Sequence, residues 1–200
     1  MADPVTLTTR RLTLRALTLA DADVLFAAFA DRDTMRFFGD RHGSVADTRA
    51  LFRHVIEGAE AHTSRQWAIS TCLGRSPDRF TVVGSLSVNG IVSGTAQMGF
   101  ILMKEYHGRG FATEAVRAVL DHAFGALGLH RVTLHIDPEN VPSQRVAQKL
   151  GFKLEGRMRE SFPIGGRFRD ELVFGLLERE WRIRDPDYFR SVEGGVFKQR

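Results

Sequence analysis

Hydrophobic residues follow two different periods in the first half of the chain. In RLTLRAL, Leu12 and Leu14 alternate with polar residues, which predicts a strand. The segment TLADADVLFAAFAD then spaces its apolar residues as a helix does, and Ser44 with Asp47 forms a capping-box pattern that predicts the start of a second helix. Three short apolar runs rich in sheet-forming residues follow, and each predicts a strand: QWAIS, TVVGSLSV and AQMGFILM.

The second half of the chain repeats this change of period. Apolar residues recur at helical spacing from Ala112 to Leu127, with Gly128 as a candidate left-handed cap. RVTLHID returns to the period of a strand, a short helix is predicted from Pro142 to Leu150, and ELVFGLLE predicts a late strand. Strands that alternate with helices predict an α/β domain with a central, mixed sheet.

Length and composition fit a single domain. Two hundred residues, 43% hydrophobic and 26% charged, are ordinary for a globular chain and exclude a disordered or collagen-like one. We predict one domain over residues 1–181 and a C-terminal tail over residues 182–200, which drapes over the domain or mediates self-association. The single cysteine, Cys72, cannot form an internal disulfide and is expected to be a small apolar filler in a strand.

Neither a membrane signal nor a metal signal is present in the sequence. No run of about 18 apolar residues predicts a membrane span. The first residues, MADPVT, lack the apolar core of a signal peptide, so we expect a cytoplasmic protein. The seven histidines show no pair at metal-ligand spacing, so no metal is expected. A net charge of +4 is too small to indicate a nucleic-acid-binding surface.

A glycine-rich junction, YHGRGFAT, separates the AQMGFILM strand from the long helix. Gly108 and Gly110 would let the backbone approach an anion closely, and the unpaired N–H groups of the first helical turn would point outward. The helix dipole adds about 0.3–1 kcal/mol of attraction for negative charge. A Walker loop is absent, and a dinucleotide fingerprint would need a glycine where Thr113 stands. On these residues alone, a phosphate site and a plain strand-to-helix turn both stay open.

A wider pattern surrounds this junction. The segment MGFILMKEYHGRGFATEAVRAVLDHAF, followed by LHIDPENVPSQRVAQKLGF, resembles the GNAT superfamily of acyl-CoA N-acyltransferases, and it is most similar to the branch of the Rim-type ribosomal-protein N-terminal acetyltransferases. The resemblance extends over about residues 8–181. It implies a mostly antiparallel sheet, flanked by helices, that splays between the strand before the glycine loop and the next strand. The family's loop reads Gln/Arg-x-x-Gly-x-Gly/Ala, and His107 stands at its first position here.

The resemblance also implies acetyl-CoA as the co-substrate and assigns residues to it. The backbone of the strand would bind pantetheine and polarise the thioester carbonyl. The backbone of the loop would hold the diphosphate. The strand positions are Phe100, Ile101 and Leu102, and the loop positions are His107, Gly108, Arg109, Gly110, Phe111, Ala112 and Thr113.

Two polar residues open the short helix. Asn140 is either a helix N-cap or a coenzyme contact. Ser143 shares one helical face with Val146, Ala147 and Leu150. The resemblance implies that its hydroxyl bonds the coenzyme sulfur and helps the thiolate leave, and the alternative is a hydroxyl bonded to backbone within its own turn.

Glu160 is our candidate for the general base, because Rim-type enzymes place a carboxylate after the second motif. The alternative for Glu160 is an exposed ion pair with Arg157 or Arg159. Asp170 and Glu171 are further candidates, although Asp170 matches a family aspartate that we interpret as structural.

The implied reaction is direct transfer of an acetyl group from acetyl-CoA to a primary amine, either a protein N-terminus or a small molecule. Acceptor contacts are expected from the loop over residues 37–44 and from FPIGGRF, which we interpret as a β-hairpin turn. A homodimer through the late strand and the tail is a further expectation. The alternatives are a non-catalytic acyl-CoA-binding regulatory module and a protein that contacts RNA or the ribosome.

Overall fold

The helices and strands follow the order that the hydrophobic pattern predicts, with several additions. The computed structural model describes residues 5–60, 63–72 and 80–184. Most of the predicted tail, residues 185–200, therefore lies outside the described residues. The strands are β1 (Leu7–Thr8), β2 (Leu12–Ala16), β3 (Ser64–Thr71), β4 (Thr81–Val92), β5 (Thr95–Leu102), β6 (Arg131–Ile136), β7 (Lys153–Ile164) and β8 (Arg167–Leu177). The helices are α1 (Asp21–Ala30), α2 (Arg32–Met35), α3 (Val45–Glu60), α4 (Phe111–Phe124), α5 (Val141–Leu150) and α6 (Glu178–Arg184), with a 3-10 turn at Lys104–Tyr106.

The strands form one eight-stranded sheet in the order β1-β2-β3-β4-β5-β6-β8-β7. Every neighbouring pair is antiparallel except β5 and β6, which are parallel and joined through α4. Their pairing runs only from Thr95–Arg131 to Met98–Leu134, although β5 continues to Leu102. The predicted mixed, mostly antiparallel sheet is confirmed, and the two parallel strands separate where the resemblance implies.

The two faces of the sheet carry separate cores. On one face, α4 and α5 bury residues such as Val119 and Ala147 against the strands. On the other face, α1 and α3 bury Leu25 and Phe52. Neighbouring residues of β5 divide between the two, since Leu102 joins the first core and Ile101 the second. The end of β5 is therefore fixed from both sides.

The ends of two elements differ from the prediction. Helix α4 ends at Phe124 instead of Leu127, because Gly125 leaves helical backbone angles, and Gly128 takes a positive φ in the turn beyond it. Helix α6 spans position 181, where we place the domain boundary. Trp181 is 1% exposed, and its Nε1–H donates to Asp121 Oδ1 over 2.8 Å. The start of α6 therefore packs as part of the domain.

Cys72 also differs from the prediction. It is exposed just after the end of β3, so its expected role as an apolar filler in a strand is wrong. None of the helices within the described ranges is long and apolar enough to cross a membrane. Among the same residues, no three His, Cys, Asp or Glu side chains come together as a group that could hold a metal ion.

Candidate active site

The C-terminal end of β5 continues past its last pairing with β6 and faces the gap between the two strands. The N–H of Met103 donates to the carbonyl of Val83 on β4 over 2.9 Å. Peptide groups of successive strand residues point to opposite neighbours, so those of Ile101 also face β4, and those of Phe100 and Leu102 face away from it. Pairing with β6 stops at Met98, so the groups of Phe100 open into the gap.

His107 contacts the last residue of β5. Its Nε2 lies 2.8 Å from the carbonyl oxygen of Leu102. A carbonyl can only accept, so Nε2 carries the hydrogen and donates. This bond connects the start of the glycine loop to the last residue of β5. Because it occupies the carbonyl of Leu102, the peptide groups of Phe100 are more accessible than those of Leu102.

The glycine loop turns the chain sharply into α4. Gly108 and Gly110 have φ values of 72° and 79°, in the left-handed region where a side chain is unfavourable. The first N–H that finds a helical partner is that of Glu114, which donates to the carbonyl of Gly110 over 3.1 Å. Six consecutive N–H groups, from Gly108 to Thr113, donate to no other residue in the described part of the chain. This run lies within the loop from His107 to Thr113 that the resemblance assigns to the diphosphate.

The N-terminus of α5 lies at the same edge of the sheet, because α4 and α5 each follow one of the two parallel strands. Asn140 is the N-cap of α5, and its Oδ1 accepts the N–H of Ser143 over 3.2 Å. Ser143 is half-buried on the face that Ala147 and Leu150 bury. Within the described residues its hydroxyl makes no hydrogen bond, so the predicted alternative, a bond to backbone within its own turn, is not observed.

Glu160 is exposed in an irregular stretch of β7, between the paired residues Met158 and Phe162. Its φ of 51° is in the left-handed region, and its N–H donates to Asp170 Oδ1 over 2.9 Å. Arg157 bonds Asp170 Oδ2 at 2.6 Å. The Glu160 N–H and Arg157 lower the pKa of Asp170 below its usual value. Asp170 therefore holds the backbone around Glu160, in keeping with a structural role.

A second polar group lies beside this stretch. It brings the predicted candidate Glu171 together with Ser161 and His135, which the sequence interpretation missed. Ser161 Oγ donates to Glu171 Oε2 over 2.9 Å, and His135 Nδ1 lies 3.7 Å from the same oxygen. His135 follows Leu134, the last residue of β6 that pairs with β5. The alternation of RVTLHID could have placed His135 on the sheet face opposite Leu134, but its contact with Glu171 joins β6 to β8, which are neighbours in the sheet and far apart in the sequence.

One concave surface lies away from these residues. It is at the other end of β5 and β6, lined in part by Asn89, Thr95, Gln97, Arg131 and Thr133. None of the predicted site residues lines it. The gap between the diverging strands is therefore separate from this concave surface.

A parallel strand pair that separates ahead of two helix N-termini is the arrangement of an acyl-CoA-dependent N-acyltransferase. Residues 11–153 match the acetyltransferase (GNAT) domain family, and the chain belongs to this family. It is therefore an N-acetyltransferase of the GNAT type, and the predicted family is confirmed.

Three similar proteins illustrate the breadth of the family. The uncharacterized N-acetyltransferase p20 of Bacillus licheniformis is 32% identical over 179 residues, which cover 88% of this chain and 98% of that protein. Spermidine N(1)-acetyltransferase of Vibrio cholerae is 28% identical over 176 residues, which cover 87% of this chain and 97% of that protein. The structure of Mycobacterium smegmatis RimJ in complex with CoA-disulfide is 24% identical with a TM-score of 0.79, and the match covers 96% of this chain and 95% of that one.

Proposed function

We propose that the protein transfers an acetyl group directly from acetyl-CoA to a primary amine. The observation that carries this proposal is the run of six N–H groups from Gly108 to Thr113, which have no partner among the described residues and lie next to the end of β5 that does not pair with β6. Backbone N–H groups at a helix N-terminus bind phosphate without a cationic side chain. The coenzyme diphosphate is the anion proposed for this loop.

The pantetheine arm extends from the loop along β5 and adds to the sheet as a short strand would. Because the peptide groups of Ile101 face β4, the contacts fall on Phe100 and on the N–H of Leu102. An N–H at Phe100 polarises the thioester carbonyl and stabilises the oxyanion of the tetrahedral intermediate. Asn140 supports this arrangement through the cap that orients Ser143.

Ser143 supplies a hydroxyl with no protein partner among the described residues. We place it beside the coenzyme sulfur, where it donates a hydrogen bond to the thiolate as the C–S bond breaks. The neutral amine attacks the thioester carbonyl, and its proton passes to Glu160. As the C–S bond breaks, coenzyme A leaves as the thiolate, which takes up a proton from water to give the thiol, and Glu160 returns its proton to solvent. Glu171 is the second candidate for the base.

The acceptor is a primary amine of either kind predicted, a protein N-terminus or a small molecule. An α-amino group has a pKa of about 7.7–8.0 and needs less help than a lysine-type amine near about 10.4. The similar Vibrio cholerae protein carries the name of a spermidine acetyltransferase, and RimJ of Mycobacterium smegmatis is one of the structural neighbours. The homodimer predicted from the sequence stays a prediction.

The direct test combines turnover and binding. Acetyl-CoA is incubated with a panel that holds a polyamine and peptides with free N-termini, and released thiol is measured. Ser143→Ala should lower kcat about 10- to 100-fold, as expected for the loss of a hydrogen bond to a charged group, while the calorimetric Kd for coenzyme A stays unchanged. Ser93→Ala, in the turn at the far end of β5, is the matched control and should keep full activity.

Two results would contradict the proposal. No thiol release with any amine, despite binding of coenzyme A, would support the regulatory module instead. Equal kcat for Ser143→Ala and Ser93→Ala would remove Ser143 from the reaction.

A further inference from the structure

Arg11 reaches the coenzyme loop from the other end of the chain. It lies between β1 and β2, and its Nε–H donates to Glu114 Oε2 over 2.6 Å. The N–H of Arg11 donates to Glu114 Oε1 over 3.0 Å, and Thr9 Oγ1 donates to the same oxygen over 2.6 Å. Glu114 therefore accepts three hydrogen bonds from one short segment.

The Arg11–Glu114 pair is shielded enough to hold its geometry. The side chains are 37% and 19% exposed. Burial raises the pKa of Glu114, but the hydrogen bonds from Thr9 and Arg11 outweigh it, so the pKa lies below its usual value. The guanidinium also sits 4.7 Å from the centre of the Phe111 ring, which is a favourable cation–π distance. Glu114 and Phe111 thus fix the guanidinium plane.

The fixed guanidinium holds one peptide group of the glycine loop. Arg11 Nη1 donates to the carbonyl oxygen of Arg109 over 3.0 Å. In a trans peptide the carbonyl and the following N–H point in opposite directions. The bond to the Arg109 carbonyl therefore aims the N–H of Gly110 away from Arg11, toward the open side of the loop.

We propose that Arg11 is a positioning residue for the coenzyme: anchored by Glu114, it holds the Arg109 carbonyl so that the Gly110 N–H faces the diphosphate. This inference rests on the proposed function, because it assumes that the loop binds coenzyme A. A flexible glycine loop has many conformations, so a bond that selects the binding one lowers the entropic cost of binding.

The variants distinguish two ways in which Arg11 could act: through the fixed geometry of its guanidinium N–H donors, or through its positive charge alone. Arg11→Met removes the charge and both donors, whereas Arg11→Lys keeps the charge but cannot bond Glu114 and the Arg109 carbonyl through one rigid plane. Arg49→Met is the matched control, because Arg49 is 42% exposed and pairs with Asp23 on α1. The unfolding midpoint of each variant is recorded to establish that it folds.

The experiment measures coenzyme A binding by calorimetry and kcat/KM with two donors, acetyl-CoA and S-acetylpantetheine, which lacks the diphosphate. Both Arg11 variants should raise the Kd for coenzyme A roughly tenfold, as expected for the loss of a charge-assisted hydrogen bond. They should lower kcat/KM for acetyl-CoA by a similar factor and leave that for S-acetylpantetheine unchanged. Arg49→Met should leave kcat/KM unchanged with both donors.

Three outcomes would overturn the inference. An equal decrease in kcat/KM with acetyl-CoA and with S-acetylpantetheine in the Arg11 variants would show that Arg11 only supports the fold. Wild-type affinity in Arg11→Lys would show that charge alone matters, and wild-type affinity in Arg11→Met would remove any role. If the wild-type protein turns over neither donor, the proposed reaction fails, but the calorimetric arm still tests Arg11.

Discussion

The backbone N–H of Gly165 donates to Oδ1 of Asp40 over 2.7 Å. Gly165 and Gly166 form the two-residue turn between β7 and β8, and both have a positive φ, as a type I′ hairpin turn requires. Asp40 belongs to the segment between α2 and α3. One hydrogen bond therefore joins the two loops that we propose for the acceptor. The pairing of Ile164 with Arg167 across the two glycines confirms that FPIGGRF contains a hairpin turn.

Asp40→Ala should weaken acceptor binding without weakening coenzyme binding. The variant removes a bond to a charged oxygen, so the hairpin tip is held less firmly beside the acceptor. We expect KM for the amine to rise roughly three- to tenfold and KM for acetyl-CoA to stay constant, as measured by steady-state kinetics. Asp23→Ala, which removes an exposed aspartate paired with Arg49, is the control. An unchanged amine KM in Asp40→Ala would show that this contact does not shape the acceptor site.

Gly84→Ala should destabilise the strand that lines the coenzyme gap. A Cβ at Gly84 would lie 2.3 Å from the carbonyl oxygen of Ile101 and 2.5 Å from Leu102 Cδ2. Both distances are shorter than van der Waals contact, so β4 and β5 must move apart. Overpacking of this kind costs about 1–3 kcal/mol in the free energy of unfolding, which urea denaturation measures.

Gly156→Ala is the matched control for this variant. Gly156 is also a strand glycine, but nothing lies within 4 Å of the position of its added Cβ. The free energy of unfolding should therefore change by less than about 0.5 kcal/mol. Equal destabilisation in both variants would mean that loss of glycine flexibility, rather than the approach of β5 to β4, sets the cost.

Asp21→Asn should make the free energy of unfolding less dependent on pH in the acidic range. Asp21 is 5% exposed and accepts hydrogen bonds from Arg15 and from the N–H of Thr18. Burial raises the pKa of Asp21, but these bonds outweigh it and hold the pKa below its usual value of 3.8. A lowered folded-state pKa contributes stability above pH 3.8, and the contribution is lost as the pH falls through the folded value.

Urea unfolding of the wild type and Asp21→Asn at several pH values tests this. At pH 7 the variant should lose about 2 kcal/mol, and the difference should shrink as the pH falls below 3.8. Asp33→Asn removes an exposed partner of Lys104 and should leave stability unchanged at each pH. A constant difference between wild type and Asp21→Asn at all pH values would contradict the assigned charge state.

The sequence predicted the parts of the fold in which one face is buried and the other is not. Leu12 and Leu14 alternate in β2, and α4 shows a clear apolar stripe, so both were predictable. Strand β7 was not predictable, because its first eight residues are all exposed at the sheet edge and do not alternate between buried and exposed positions. Propensity alone is a weak signal there.

The candidate site also has some parts that the sequence predicts and others that it does not. The glycine loop and the cap at Asn140 depend on local backbone geometry, which nearby residues reveal. Contacts between distant segments leave no such trace: Arg11 meets Glu114 across 103 positions, and His135 meets Glu171 across two strands. These partners are set by the order of strands in the sheet, which no short motif records.

Glu160 offers a test that separates backbone strain from chemistry. Glu160 and Ser93 are the two residues other than glycine with positive φ in the described part of the chain, at 51° and 49°. Replacing either by glycine relieves about 1–2 kcal/mol of strain but costs about 0.5–1 kcal/mol in chain entropy, so Glu160→Gly and Ser93→Gly should each gain about 0.5–1 kcal/mol of stability in urea unfolding. Only Glu160→Gly and the isosteric Glu160→Gln should lower kcat, at least about tenfold, because general-base catalysis contributes about 10²- to 10⁴-fold. Full activity in Glu160→Gln would assign the proton transfer to another group, and Glu171 would be the next residue to replace. The left-handed backbone at position 160 would then be only a structural feature of the irregular stretch of β7.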